Sequence, residues 1–288
     1  MTIIEVVFPV FAIMALGWAL ARLKRLDTPT ISEILVNVTS PCLVFTSIAK
    51  REIVPSDWLI MGGAAVVIVL SGGALMLLYQ RQNGLQMRGL LLPAMFMNSG
   101  NMALPFALLA FGKAGFDKAI IFMVVVSIMN ASLGVSIAKG KGGLREMFRL
   151  PLIYAACAGL AATIFGIELP KFLMTPIEML SDVAIPLMIL NLGIQLRLLR
   201  VSDVRHALVA VGIRMGGGFI IAAIFVTVLG VTGVARNIIF LDSLMPPAVF
   251  NVVLAQKYGA NPDAVASAIV LGTLLSVVVT PVYLAFVT

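Results

Sequence analysis

The chain has 288 residues, 61% of them hydrophobic and only 11% charged, with a mean hydropathy of +1.10. A soluble domain carries roughly 25% charged residues, so this composition excludes an ordinary soluble enzyme or binding module and implies an all-α integral membrane protein. The net charge of +7 would point to nucleic acid in a soluble chain, but the basic residues are spread over short loops without interleaved aromatics, so no nucleic acid is expected.

Ten windows long enough to cross about 30 Å of hydrocarbon fall near residues 3–21, 29–48, 57–79, 89–111, 119–138, 151–167, 175–196, 207–230, 237–256 and 262–286. Met1 to Phe8, ahead of and within the first, has no Lys or Arg and so lacks the basic start of a secretory signal peptide. The second carries TSPCLVF, and the third two glycine pairs, Gly62–Gly63 and Gly72–Gly73. The fourth is interrupted by NSGNMALP, Asn98 to Pro105, and the ninth by MPPAVFN, Met245 to Asn251. Breaks inside hydrocarbon free backbone groups that lipid cannot satisfy, so they persist only where protein or a cavity receives them. Paired breaks in matched positions of two halves therefore mark a substrate site. Cys42 and Cys157 lie within predicted helices and read as small core residues rather than a disulfide.

Thirteen Lys and Arg fall in the odd-numbered loops and six in the even-numbered ones. By the positive-inside rule the odd loops are cytoplasmic and both termini lie outside, in a multi-pass protein of the cell inner membrane. Trp18, Trp58 and all four tyrosines fall near predicted helix ends, where amphipathic rings anchor at headgroup depth.

The halves repeat. At an offset of 145 residues, Thr30, Glu33, Leu35, Val38 and Pro41 meet identical residues at 175, 178, 180, 183 and 186, while Asn37 meets Asp182. Helices 1 and 6 share Pro9 with Pro151 and Gly17 with Gly159, and the break at Ser99–Gly100 meets Pro246–Pro247 at offset 147. Five spans per half, an odd number, make the repeats inverted: 1–138, a connecting loop 139–150 with four basic residues, and 151–288. Inverted repeats supply two conformations, one open to each side, which favours alternating access over a one-state pore.

Asn98, Ser99 and Asn101 can line the cavity with amides and a hydroxyl suited to a carboxylate, or can satisfy the freed backbone of the break. The N-termini of broken helices add partial positive charge there. Arg214 and Asp242 are the deepest ionisable residues; they form a structural ion pair, or Arg214 holds the substrate carboxylate while Asp242 binds a coupling H⁺ or Na⁺. Asp182 is either a proton site or a solvated helix-end residue, and Asn130 a potential cation ligand. Glu5, Glu33 and Glu178 lie near interfaces and snorkel, and His206 borders a loop.

The motifs TSPCLVF, NSGNMALPFAL, DVAIPLMILNLG and the long run from Met245 through Pro281 resemble those of the auxin efflux carrier family over essentially the whole chain. The resemblance implies a fold shared with bile acid/sodium symporters. Helices 1, 2, 6 and 7 would form a scaffold, and 3–5 and 8–10 an elevator-like core in which unwound helices 4 and 9 cross. It implies transport of a small organic anion, with Asn98, Pro105, Pro246 and Pro247 at the crossing and Ser40 of TSPCLVF on the scaffold side. Asn251 departs from the plant pattern, which has proline there. The family's long cytoplasmic loop is reduced to about a dozen residues, and a homodimer through the scaffold is the candidate assembly.

No cofactor is expected, and no enzyme. One histidine excludes an HExxH zinc site, no GxxxxGK[ST] occurs, and the aspartates lack a GxGD-like flank. A transporter-fold sensor or a passive channel is the alternative reading.

Overall fold

The computed structural model describes residues 3–49, 55–140, 142 and 148–287, and among these every ordered element is helical. Eleven helices follow in order: α1 Ile3–Leu23, α2 Thr28–Ala49, α3 Pro55–Gln82, α4 Leu91–Met95, α5 Ser99–Lys139, α6 Pro151–Phe165, α7 Lys171–Leu198, α8 Val204–Val228, α9 Gly233–Ser243, α10 Phe250–Tyr258 and α11 Pro262–Val287. Seven of them (α1, α2, α3, α5, α7, α8 and α11) are long and apolar enough to cross a membrane, and α6 is a shorter apolar helix. Lys141 and Arg145 of the basic connecting loop, and Lys50 and Arg51, lie outside the described residues.

Three expected spans are built differently from simple rods. The window 89–111 is α4 plus the first arm of α5, and 237–256 is split into α9 and α10. The expected span at 119–138 is the second arm of α5, which reverses at Gly112 (φ 61°, ψ −157°), a backbone conformation that a Cβ would strain. Beyond it, a Cβ built on Gly115 would lie 3.1 Å from the Ala107 carbonyl oxygen. Residues eight apart in one straight helix stand about 12 Å apart, so the two arms form a hairpin.

The helices pack in two groups. α1 lies along α7, and α2 packs on both α6 and α7; α3 packs on α4, α5 and α8, and α8 and α10 on α11. The α1–α7 contact is close because Gly17 faces the Leu190 carbonyl and Gly193 faces that of Met14, where any Cβ would overlap the opposite backbone. Small residues at such seams let transmembrane backbones approach, gaining van der Waals contact that lipid cannot supply. Thr46–Ser181 (2.9 Å) at one end and Gln195–Ser32 (3.1 Å) at the other set α2 antiparallel to α7.

Candidate functional site

The two interruptions meet. The backbone leaves the helix at Phe96, which is extended, and stays non-helical through Asn98; it is also unwound over 244–249, and these stretches pair antiparallel: Asn98 N–H donates to the Pro246 carbonyl (2.8 Å) and Ala248 N–H to that of Phe96 (2.9 Å). Each break thus satisfies backbone groups of the other, as a membrane interior requires. Helix resumes at Ser99, inside the stretch 98–105 expected to be broken, because the Asn98 side chain accepts from Asn101 N–H (3.2 Å) and caps α5. Pro105 then sits near the start of the α-helical part of α5, where a missing N–H is tolerated, and is buried.

Two side chains finish the helix ends left open by the breaks. Asn251, fully buried, donates to the carbonyls of Leu92 (3.2 Å) and Phe96 (3.1 Å) at the end of α4, and accepts from Asn130 Nδ2 (3.2 Å). Arg214, also fully buried, donates to Met95 O (3.0 Å) at the end of α4 and to Ser243 O (3.3 Å) at the end of α9. One guanidinium therefore caps the C-terminal, partially negative ends of both half-helices. It stands on a wide helical turn, Gly212–Gly217, in α8. A partner role for Arg214 across two helix ends was invisible in the sequence, whose one signal was a lone cation in a glycine-rich apolar run.

Arg214 and Asp242 lie within electrostatic range, yet no direct ion pair joins them among the described residues. The contact pair, one of the two readings open from the sequence, is therefore not formed: the guanidinium turns its two terminal nitrogens to the carbonyls, and among the described residues its Nε–H is left without a partner. Asp242, wholly buried near the end of α9, borders Ser99 at the start of α5. Among the described residues neither Asp242 oxygen, nor Ser99 Oγ, Asn98 Nδ2 or Asn130 Oδ1, has a hydrogen-bond partner. The crossing thus gathers Asn98, Ser99, Asn101, Asn130, Asp242, Pro246, Pro247 and Asn251, with Arg214 beneath the half-helices.

Ser40 is buried on α2, in the other packing group. Asp182 lies on α7, on the wall of a cavity of about 610 Å³ between α2, α5 and α7, together with Thr46, Ser47, Lys113, Glu178, Ser181 and an apolar side of Leu43, Leu108, Phe116, Ile185 and Pro186. Of these, the sequence had singled out Asp182 as a site; Glu178 read as an interfacial charge, and Lys113 as one of the six basic residues of the even-numbered loops. Among the described residues no group of three or more His, Cys, Asp or Glu gathers for a metal. His206 donates through Nδ1–H to the Asp203 carboxylate (2.9 Å) at the start of α8.

A family model described as a membrane transport protein matches residues 2–146 and 140–284, nearly the whole chain. The chain belongs to this family, that of the auxin efflux carriers. An uncharacterized transporter of Methanothermobacter thermautotrophicus is 30% identical over 97% of this chain and 96% of its own length. A probable auxin efflux carrier component 1c of Oryza sativa is 23% identical over 60% of the chain and 29% of its own length, and the auxin efflux carrier component 1 of Arabidopsis thaliana 23% identical over 48% and 24%. The match thus spans less than a third of these plant proteins.

Proposed function

We propose that this family member is a secondary transporter that carries a small organic carboxylate through the crossing by alternating access. The observation that carries the reading is the crossing itself, where an unpartnered buried donor, Asn98 Nδ2, stands at the N-terminal end of α5. A positive helix end with a free donor suits a carboxylate. Asp242 beside it is the coupling-ion candidate, for H⁺ or Na⁺. Asp182 is the second.

Ten crossings as two inverted repeats fit the bonds between distant helix ends, and the bias of Lys and Arg toward the odd loops supports placing both termini outside. Lys118 with Asp57, Thr163 with Ile48 and Tyr283 with Asn237 join ends that this scheme places outside. Arg88 with Tyr258, Ser202 with Ser267, and Gln195 with Ser32 join ends that it places inside. The group α1, α2, α6 and α7 serves as scaffold, and the others as a core that slides against it.

The test is counterflow into proteoliposomes with indole-3-acetate, benzoate and 4-methylpentanoate as probes. Saturable exchange of at least one, lost in Asn98→Asp, is expected. Non-saturable leak of all three would instead indicate a passive channel, and binding without exchange a sensor.

A further inference from the structure

Two opposite charges face the cavity without partners. Among the described residues neither Lys113, next to the α5 hairpin turn, nor Asp182, on α7, makes a hydrogen bond or ion pair, whereas Glu178 on the same wall is engaged in an interaction within the fold. Thr46 and Ser181 are bonded to each other on that wall. Opposite them, Leu43, Leu108, Phe116 and Ile185 offer an apolar surface. The volume of about 610 Å³ lies within the range of small-molecule sites.

An aspartate in the wall disfavours a simple anion, since like charges repel. Lys113 alone would attract an anion; Lys113 and Asp182 together fit a solute that carries both signs. We infer that this cavity is a binding station for a zwitterion with an apolar body, of the amino-acid class, whose carboxylate meets Lys113 and whose ammonium meets Asp182. The walls belong to different packing groups: Lys113, Leu108 and Phe116 come from α5, and Asp182 and Ile185 from α7. The same two helices also touch at Ser99–Ala103, so the cavity lies on the seam that leads to the crossing. The inference rests on the transporter reading above and narrows its carboxylate to one that also bears a cationic group.

Leucine, 4-methylpentanoate and 3-methylbutylamine share an apolar body and differ in charge, and they serve as probes of the full-length protein in proteoliposomes and in thermal-shift binding. Leucine is expected to exchange about tenfold or more faster than either analogue, since sites built for a polar group reject ligands that lack it. Asp182→Asn should lower the leucine to 4-methylpentanoate ratio, and Lys113→Gln should lower the leucine to 3-methylbutylamine ratio. Both substitutions fall on exposed side chains, and an unchanged melting temperature in each certifies the fold. Equal exchange of 4-methylpentanoate and leucine, with a ratio unmoved by Asp182→Asn, overturns the zwitterion and leaves carboxylate transport standing. Absence of binding and exchange for all three overturns the zwitterion, and exchange of indole-3-acetate or benzoate in the same vesicles then leaves carboxylate transport standing.

Discussion

Asn98 does two jobs with two atoms. Its oxygen caps α5 through Asn101 N–H, and its Nδ2 is buried without a partner. Asn98→Asp keeps the capping acceptor and replaces the free donor with an oxygen that repels a carboxylate. Exchange should therefore fall while the melting temperature holds, whereas Asn98→Ala should also lose about 1 kcal/mol of capping, read by thermal unfolding. Asn251 should behave the other way round. It is bonded at every polar atom, so Asn251→Ala should destabilise by about 1–3 kcal/mol before any effect on solute affinity is seen. A melting temperature unchanged in Asn251→Ala would remove its assignment as the clamp of α4.

Arg214→Met takes the donor from Met95 O and Ser243 O together, so a loss of about 3–6 kcal/mol, the worth of two charge-assisted hydrogen bonds, is expected. Asp242→Asn should fold. If Asp242 carries the coupling ion, that variant should exchange solute but no longer follow an ion gradient. Because the two side chains do not touch, the double variant Arg214→Met with Asp242→Asn should recover less than half of the Arg214→Met loss. Near-complete recovery in a stability double-mutant cycle would restore the direct pair.

Among the elements, the α1–α7 seam is the most sensitive to side-chain size. Gly193→Val should push α1 off α7 and destabilise by about 1–3 kcal/mol, or abolish folding, as overpacking does. Gly216→Val, on α8, where a Cβ meets nothing within 4 Å, is the control. The long elements were legible because apolar length alone marks a crossing: α1, α2, α3 and α11 begin and end within a few residues of their windows. The crossing was legible in part. Pro246, Pro247 and the Asn-Ser-Gly run signalled breaks, but the first unwound residues, Phe96 and Met97, are apolar and carry no such mark; their non-helical backbone is imposed by pairing with residues 246–248. Arg214 and Asn251 were harder still, because what they bond lies more than a hundred residues away for Met95, Leu92 and Phe96. Glu178 looked interfacial, and Lys113 like a loop charge, because depth along one helix says nothing of which neighbour faces it.

For the whole molecule, the ten-crossing scheme makes two surface positions report oppositely. In a background lacking Cys42 and Cys157, Lys171→Cys should react with a membrane-impermeant thiol reagent added to intact cells, and Arg200→Cys should react after lysis alone. The reverse pattern would invert the protein in the membrane, and equal reactivity at both sites would remove the crossing by α7 between them.

The bonds that hold the crossing run between the two halves of the chain: Asn98 to Pro246, Ala248 to Phe96, Asn251 to Leu92, and Arg214 to Met95. During synthesis, then, α4 enters the bilayer with its terminal carbonyls uncapped and must wait for partners that have not been made. At about 5–20 residues per second, that wait lasts roughly ten to thirty seconds. Hydrocarbon does not tolerate such groups, so the first half has to be sheltered by the insertion machinery or by water until the second arrives. The same dependence means that the halves, made as separate chains in one cell, should be degraded singly and survive only as a mutually completing pair.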